Sequence, residues 1–164
     1  MDLVAIDPGT TQSAFVILET ESNIIRAFDK IDNSKLADLL CSGFIGVAAP
    51  QHLVIEMIKS YGNVMGDSVL RTCVWIGKFE QAWRFRCDEL ARKTIVGVLC
   101  HNARAKDKNV RQALIDRFPA RGGGKIPQIG NKFNPGPLYG ITGDIWSALA
   151  VAVAWCDINR SFKC

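Results

Sequence analysis

Near the N-terminus, apolar positions come in short unbroken runs; further along they recur at helical spacing. Leu3-Val4-Ala5-Ile6 and Ala14-Phe15-Val16-Ile17-Leu18 are apolar at every position, the pattern of strands buried on both faces. Asp7-Pro8-Gly9-Thr10-Thr11 lies between them and is a turn signal. The pattern predicts strands at 2–7, 12–18 and 23–30, a helix at 33–41 and a strand at 52–57. Helices follow at 67–86, 94–100 and 107–118, then an irregular loop at 119–140 and a last helix at 144–158. Three strands first, then strands alternating with helices, predicts an α/β fold with a mixed sheet covered by helices. No repeat or long linker divides the chain, and 164 residues suit one domain spanning 1–164.

Two segments stand out. The 67–86 helix, which Asp67 or Ser68 can cap, carries apolar residues over more than half its circumference. One stripe is enough for a surface helix, so Trp75, Phe79 and Trp83 are candidates either for deep burial or for a subunit interface. The 119–140 loop holds Gly122-Gly123-Gly124 and Asn134-Pro135-Gly136-Pro137, which exclude regular structure. Its Phe133 and Tyr139 are further candidates for contact with a ligand.

Composition narrows the setting. No run approaches the roughly 18 apolar residues of a membrane span, and the N-terminus opens directly into a strand without the features of a secretory leader. The six cysteines never form Cys-x-x-Cys, and there are only two histidines, His52 and His101. Reduced thiols in a cytoplasm, and no zinc site, are expected. The net charge of +4 is unevenly spread: residues 84–132 hold twelve Lys/Arg against four Asp/Glu, the rest eight against twelve. A basic segment beside an acidic body fits a phosphate-binding surface, although a solvated charged face would read the same way.

Three acids sit at element ends. Asp7 closes the first strand, Glu56 closes Leu53-Val54-Ile55, and Asp144 opens the last helix. A carboxylate at the tip of a buried strand is costly to desolvate unless a cation or proton compensates it. Oxygen ligands with almost no histidine suit a hard divalent cation, and a pair of such ions can clamp a phosphodiester. Gly122-Gly123-Gly124-Lys125 lacks the spacing and the following Ser/Thr of a phosphate-binding P-loop.

Four motifs in order carry a resemblance. They are Ala5-Ile6-Asp7-Pro8-Gly9; Val54-Ile55-Glu56 with Tyr61-Gly62; Ala105-Lys106-Asp107-Lys108-Asn109-Val110-Arg111; and Gly143-Asp144-Ile145-Trp146-Ser147-Ala148-Leu149-Ala150-Val151-Ala152. Together they resemble RuvC-type Holliday junction resolvases of the RNase H-like superfamily, especially the small phage forms. The resemblance implies an RNase H-like fold with a central mixed five-stranded sheet flanked by helices. It implies a metal-dependent endodeoxyribonuclease that resolves four-way and other branched DNA by paired nicks, working as a homodimer in a bacterial cell or phage-infected host. Asp7, Glu56 and Asp144 are then the catalytic and metal-binding residues for Mg²⁺, with Mn²⁺ as a substitute, one or two ions per subunit. Ser147 stands where the family usually has a second acid; its hydroxyl can bind a metal-bound water but is a poor direct ligand, and Asp67 and Asp107 are alternative acids. Tyr61 matches the aromatic that probes the junction centre. Arg104, Lys106, Lys108 and Arg111 are the DNA-binding candidates, at a helix N-terminus suited to phosphate.

Other readings stay open on the sequence alone. One is a YqgF-like RNA-processing enzyme, or a branched-DNA nuclease without four-way specificity. Another is a non-catalytic junction-binding protein, prompted by Ser147. A third is an ATP-binding protein of the actin and sugar-kinase type, prompted by Asp7-Pro8-Gly9-Thr10-Thr11.

Overall fold

The computed structural model describes residues 1–44, 50–60, 62 and 64–161. Its strands are β1 (Asp2–Asp7), β2 (Gln12–Glu19), β3 (Ile24–Asp32), β4 (His52–Met57) and β5 (Arg86–Ala91). They form one mixed sheet in the order β3-β2-β1-β4-β5. β1 is antiparallel to β2 and parallel to β4, and β4 is parallel to β5. The unbroken apolar runs therefore become the central strands, because only these are covered on both faces.

Helices α1 (Asn33–Ser42) and α2 (Asp67–Ala82) cover one face; α3 (Arg92–Cys100), α4 (Asp107–Ile115) and α5 (Ile145–Ser161) cover the other. Strand alternation divides the core accordingly. Val4, Ile6, Phe15, Ile17, Leu53 and Ile55 meet α1 and α2, whereas Leu3, Ala5, Ala14, Val16 and Val54 meet α3 to α5. The run Ala148 to Cys156 of α5 is buried throughout, and its alanines let it lie close on β1 and β2.

Three expectations change. The fifth strand lies at 86–91, where none was placed, and α2 stops at Ala82 instead of running to 86. Trp83 is already extended backbone; its N–H closes the helix on the Phe79 carbonyl, and its indole donates to the Arg86 carbonyl at 3.1 Å. Second, α2 starts behind Gly66, with no side-chain cap from Asp67 or Ser68. Third, Phe79 and Trp83 are core residues, and Trp75 is half-buried against Phe79 with Lys78 over its ring. The apolar excess of the helix is thus largely absorbed inside the subunit, leaving Leu70 and Val74 outward.

The 119–140 segment has no regular elements, yet it is tightly bonded. Gly122 and Gly123 donate to the carbonyls of Pro127 and Asn134, and Leu138 donates to that of Gln128. A Cβ at Gly130, whose φ is +76°, would stand 2.2 Å from the Gly136 nitrogen. The glycines are there so that three backbone segments can cross.

Candidate active site

Asp7 ends the central strand, and the turn after it is bolted down. The Gly9 N–H donates to Ser13 Oγ at 3.0 Å, Ser13 Oγ donates to Asn33 Oδ1 at 2.6 Å, and Asn33 Nδ2 donates to the Gly9 carbonyl at 2.9 Å. Ser13 and Asn33 are buried polar residues whose groups are satisfied by this ring of bonds. A Cβ at Gly9 would lie 2.2 Å from the Gln12 carbonyl oxygen, so the Pro8-Gly9 turn depends on glycine.

Ile6 is paired with Ile55 across the parallel β1–β4 ladder. Asp7 and Glu56, each the next residue, therefore lie side by side at the ends of neighbouring strands, Asp7 last in β1 and Glu56 next to last in β4, and alternation turns both side chains toward α5. Asp144 immediately precedes α5, and its carbonyl accepts the N–H of Ser147 and Ala148 at 2.9 and 3.1 Å. The three acids predicted from the sequence thus meet at one end of the sheet, on one face.

Two cations enter this cluster that sequence reading did not single out. Lys30 Nζ on β3 lies 2.6 Å from Asp144 Oδ2. Arg92, the first residue of α3, spans two acids: Nη2 is 2.6 Å from Asp107 Oδ1, and Nη1 is 3.6 Å from Glu56 Oε2. The longer of these is beyond hydrogen-bond range, and Glu56 Oε2 is buried without a hydrogen-bond partner. Burial, then the charges of Glu56 and Asp144, push the Asp7 carboxyl up to about 7, against the pull of Arg92 and Lys30. Burial likewise raises Glu56, opposed by Arg92 and reinforced by Asp107. Of the two alternative acids, Asp107 joins the cluster through Arg92; Asp67 is exposed at the start of α2.

Among the described residues, no group of three or more His, Cys, Asp or Glu side chains stands ready to hold a metal ion. The donor chemistry nevertheless fits a hard divalent cation. It offers three carboxylates, one with a buried oxygen that lacks a hydrogen bond and one raised to about 7 by burial and then by the neighbouring acids. Burial pushes the Cys87 and Cys156 thiols up to about 12 and about 11.

A cleft of about 400 Å³ opens beside Asp144 and Ser147 and is lined by Arg92, Lys108, Arg111 and Trp146. The Arg111 guanidinium lies 4.7 Å from the centre of the Trp146 ring. A second cleft of about 400 Å³ carries Arg104, Lys106 and Lys108, so Lys108 belongs to both. All four predicted basic residues lie around the start of α4, and all four are exposed. Lys106 is the N-cap residue of α4, donating its backbone N–H to Asn109 Oδ1 at 3.2 Å. Tyr61 lies outside the described residues. Phe133 is 96% exposed at the tip of the glycine-built loop, where Asn131 Oδ1 accepts the N–H of Phe133 and of Asn134; Tyr139 is partly exposed.

No family model matches the chain, and no curated protein matches it in sequence. Solved structures do match it. A Thermus thermophilus RuvC structure superposes with a TM-score of 0.65 at 14% identity, covering 99% of this chain and 97% of that one. T. thermophilus RuvC in complex with Holliday junction substrate gives 0.65 at 12% identity, covering 98% and 96%. The fowlpox virus Holliday junction resolvase gives 0.52 at 16% identity, covering 96% and 99%. The fold is the RNase H-like α/β fold of RuvC, as the sequence motifs imply. No helix among the described residues is long and apolar enough to cross a membrane.

Proposed function

We propose that the protein is a structure-selective endonuclease that resolves four-way and other branched DNA junctions by metal-dependent hydrolysis. One observation carries this reading. Asp7, Glu56 and Asp144 gather at one sheet end, beside a cleft ringed by Arg92, Lys108 and Arg111, on the fold of RuvC. Acids for an ion and bases for a phosphate backbone, side by side, are what phosphodiester cleavage requires. Asp7, Glu56 and Asp144 would hold Mg²⁺ or Mn²⁺, with Ser147 reaching it through water. When bound, the ion supplies Lewis-acid activation of water and of the phosphodiester.

The chain's own residues do the rest. The Gly9–Ser13–Asn33 ring fixes Asp7, Arg92 orients Glu56, and Lys106, Lys108 and Arg111 hold the backbone of the nucleic acid. Paired nicks call for two such sites, hence a two-fold homodimer. The ATP-binding reading loses ground because one sheet with its helices accounts for all the described elements, whereas that class needs two lobes.

The test is to incubate the protein and Mg²⁺ or Mn²⁺ with a synthetic four-way junction, a duplex, a flap and an RNA hybrid, mapping nicks on every strand. Symmetric nicks across the junction support the proposal. Equal cutting of all branched forms favours the broader nuclease, RNA cutting the YqgF-like enzyme, and binding without cutting a junction-binding protein.

A further inference from the structure

We propose that Lys30 is a built-in cation of the acidic site, a positioning residue that holds Asp144 and stands in for the charge of a second divalent ion. The site then takes one ion per subunit. This rests on the metal-dependent reading above and specifies how the site is charged.

The argument begins in the sheet. Asp7 is paired with Ala14 across β1 and β2, and Ala14 with Lys30 across β2 and β3. Directly paired residues on antiparallel strands point to the same face, so Asp7, Ala14 and Lys30 form one row facing α5. Strands lie about 4.8 Å apart, which sets the Lys30 backbone about 10 Å from that of Asp7. The middle residue is an alanine, too small to block the path of the lysine side chain. Lys30 Nζ ends 2.6 Å from Asp144 Oδ2, engaging one of that carboxylate's two oxygens. The lysine is aimed at the site by strand register.

Charge counting points the same way. The carboxylates here are Asp7, Glu56, Asp144 and Asp107, and the cations paired directly with them are Lys30 and Arg92, with Lys108 and Arg111 lining the adjoining cleft. With all four carboxyls ionised, as ion binding requires, these pairs leave two negative charges uncompensated, which is the charge of one divalent ion. Ser147, which lines the cleft beside Asp144, contributes none. A second ion would leave the cluster net positive and unfavourable to fill. A stabilising role for the Lys30–Asp144 pair does not account for the lysine, because both side chains are about half exposed and such pairs contribute little to folding.

The test uses the full chain and counts Mn²⁺ by calorimetry and by electron paramagnetic resonance of the free ion. Wild type should bind one ion per subunit. Lys30→Met should bind it about tenfold or more tightly, because a competing positive charge is gone, and nick branched DNA at least tenfold more slowly. Lys30→Arg should restore wild-type affinity and most of the nicking. Lys30→Met combined with Ser147→Asp should take a second ion. Circular dichroism confirms folding, which an exposed lysine does not govern. Two ions of similar affinity in wild type, or Lys30→Met with unchanged Mn²⁺ affinity, overturns the proposal. A wild type that cuts no DNA, yet binds one ion that Lys30→Met tightens, leaves the assignment of Lys30 standing and removes the nuclease reading.

Discussion

Asp7, the last residue of β1, and Glu56, the penultimate residue of the parallel neighbour β4, turn both carboxyls toward α5, and burial together with the Glu56 charge raises Asp7 to about 7. The Glu56 charge opposes ionisation of Asp7, and a bound divalent cation would offset it. Asp7→Asn, Glu56→Gln and Asp144→Asn should each lower nicking on the order of a hundredfold or more. Junction binding should be kept or tightened, since each change removes negative charge and no basic residue. Gel shift beside single-turnover cleavage checks this, and near wild-type nicking by any variant removes that residue from the site.

The same relationship predicts how stability depends on pH. Asp7 has a folded-state value of about 7 against an ordinary 3.8, so between those limits the folded protein binds more protons than the unfolded one. Stability from this group is therefore present at low pH and lost as pH rises from about 4 through about 7. Without divalent ion, Asp7→Asn should melt several degrees above wild type at pH 8, and the gap should shrink toward pH 4. Saturating Mg²⁺ should stabilise wild type and not the variant. Melting curves across that range decide; a gap that does not change with pH would mean Asp7 is not strained by its neighbours.

How much of this was legible in the sequence follows from the range of the forces involved. β1, β2 and β4 carry apolar residues on both faces, which only a sheet interior explains, and each acid stands at the end of such a run or just before a buried helix. β5 was hidden because Arg86-Cys87-Asp88-Glu89 is an edge strand with much of its surface in water. The apolar Trp83 and Phe85 before it prolonged the helical pattern. Phe79 and Trp83 read as an interface because periodicity shows how much apolar surface a helix has, not which neighbour covers it. Lys30, Arg92 and the Ser13–Asn33 pair reach the site through strand register and helix packing, which local spacing does not record.

The basic residues around α4 should act through affinity. Changing Lys106, Lys108 and Arg111 to alanine should reduce the slope of log K against log salt by about 0.9 for each duplex-arm phosphate they neutralise. Cleavage at saturating protein should change little, because none of these side chains holds the acids. Binding isotherms from low to moderate salt measure the slope; an unchanged slope would put the DNA on another surface.

Phe133 is held out by a hydrogen-bonded turn, with its side chain almost wholly exposed among the described residues. Phe133→Ala should leave the melting temperature unchanged. If the ring stacks on an unpaired base, worth about 1–3 kcal/mol, affinity for a junction should fall while affinity for plain duplex does not. Fluorescence of 2-aminopurine at the branch point would report the loss of unstacking. Equal weakening on duplex and junction would assign the loop a general, non-stacking role.

The homodimer is expected on the outer ridge of α2. Leu70 and Val74, 51% and 58% exposed, lie one turn apart, and Gly77 follows on the same side. A mid-helix glycine costs about 1 kcal/mol relative to alanine, and a Cβ at Gly77 would meet nothing within 4 Å in its own subunit. No internal packing therefore requires glycine there, whereas a second helix approaching closely would. Gly77→Ala should raise the stability of the isolated subunit by roughly 0.5–1 kcal/mol while weakening association. Leu70→Glu with Val74→Lys should give folded monomers that nick one strand at a time, since one subunit supplies one Asp7–Glu56–Asp144 site. Analytical ultracentrifugation with and without junction DNA measures both effects. A wild type that sediments as a monomer in both states would overturn the paired-nick mechanism and leave a simple branched-DNA nuclease.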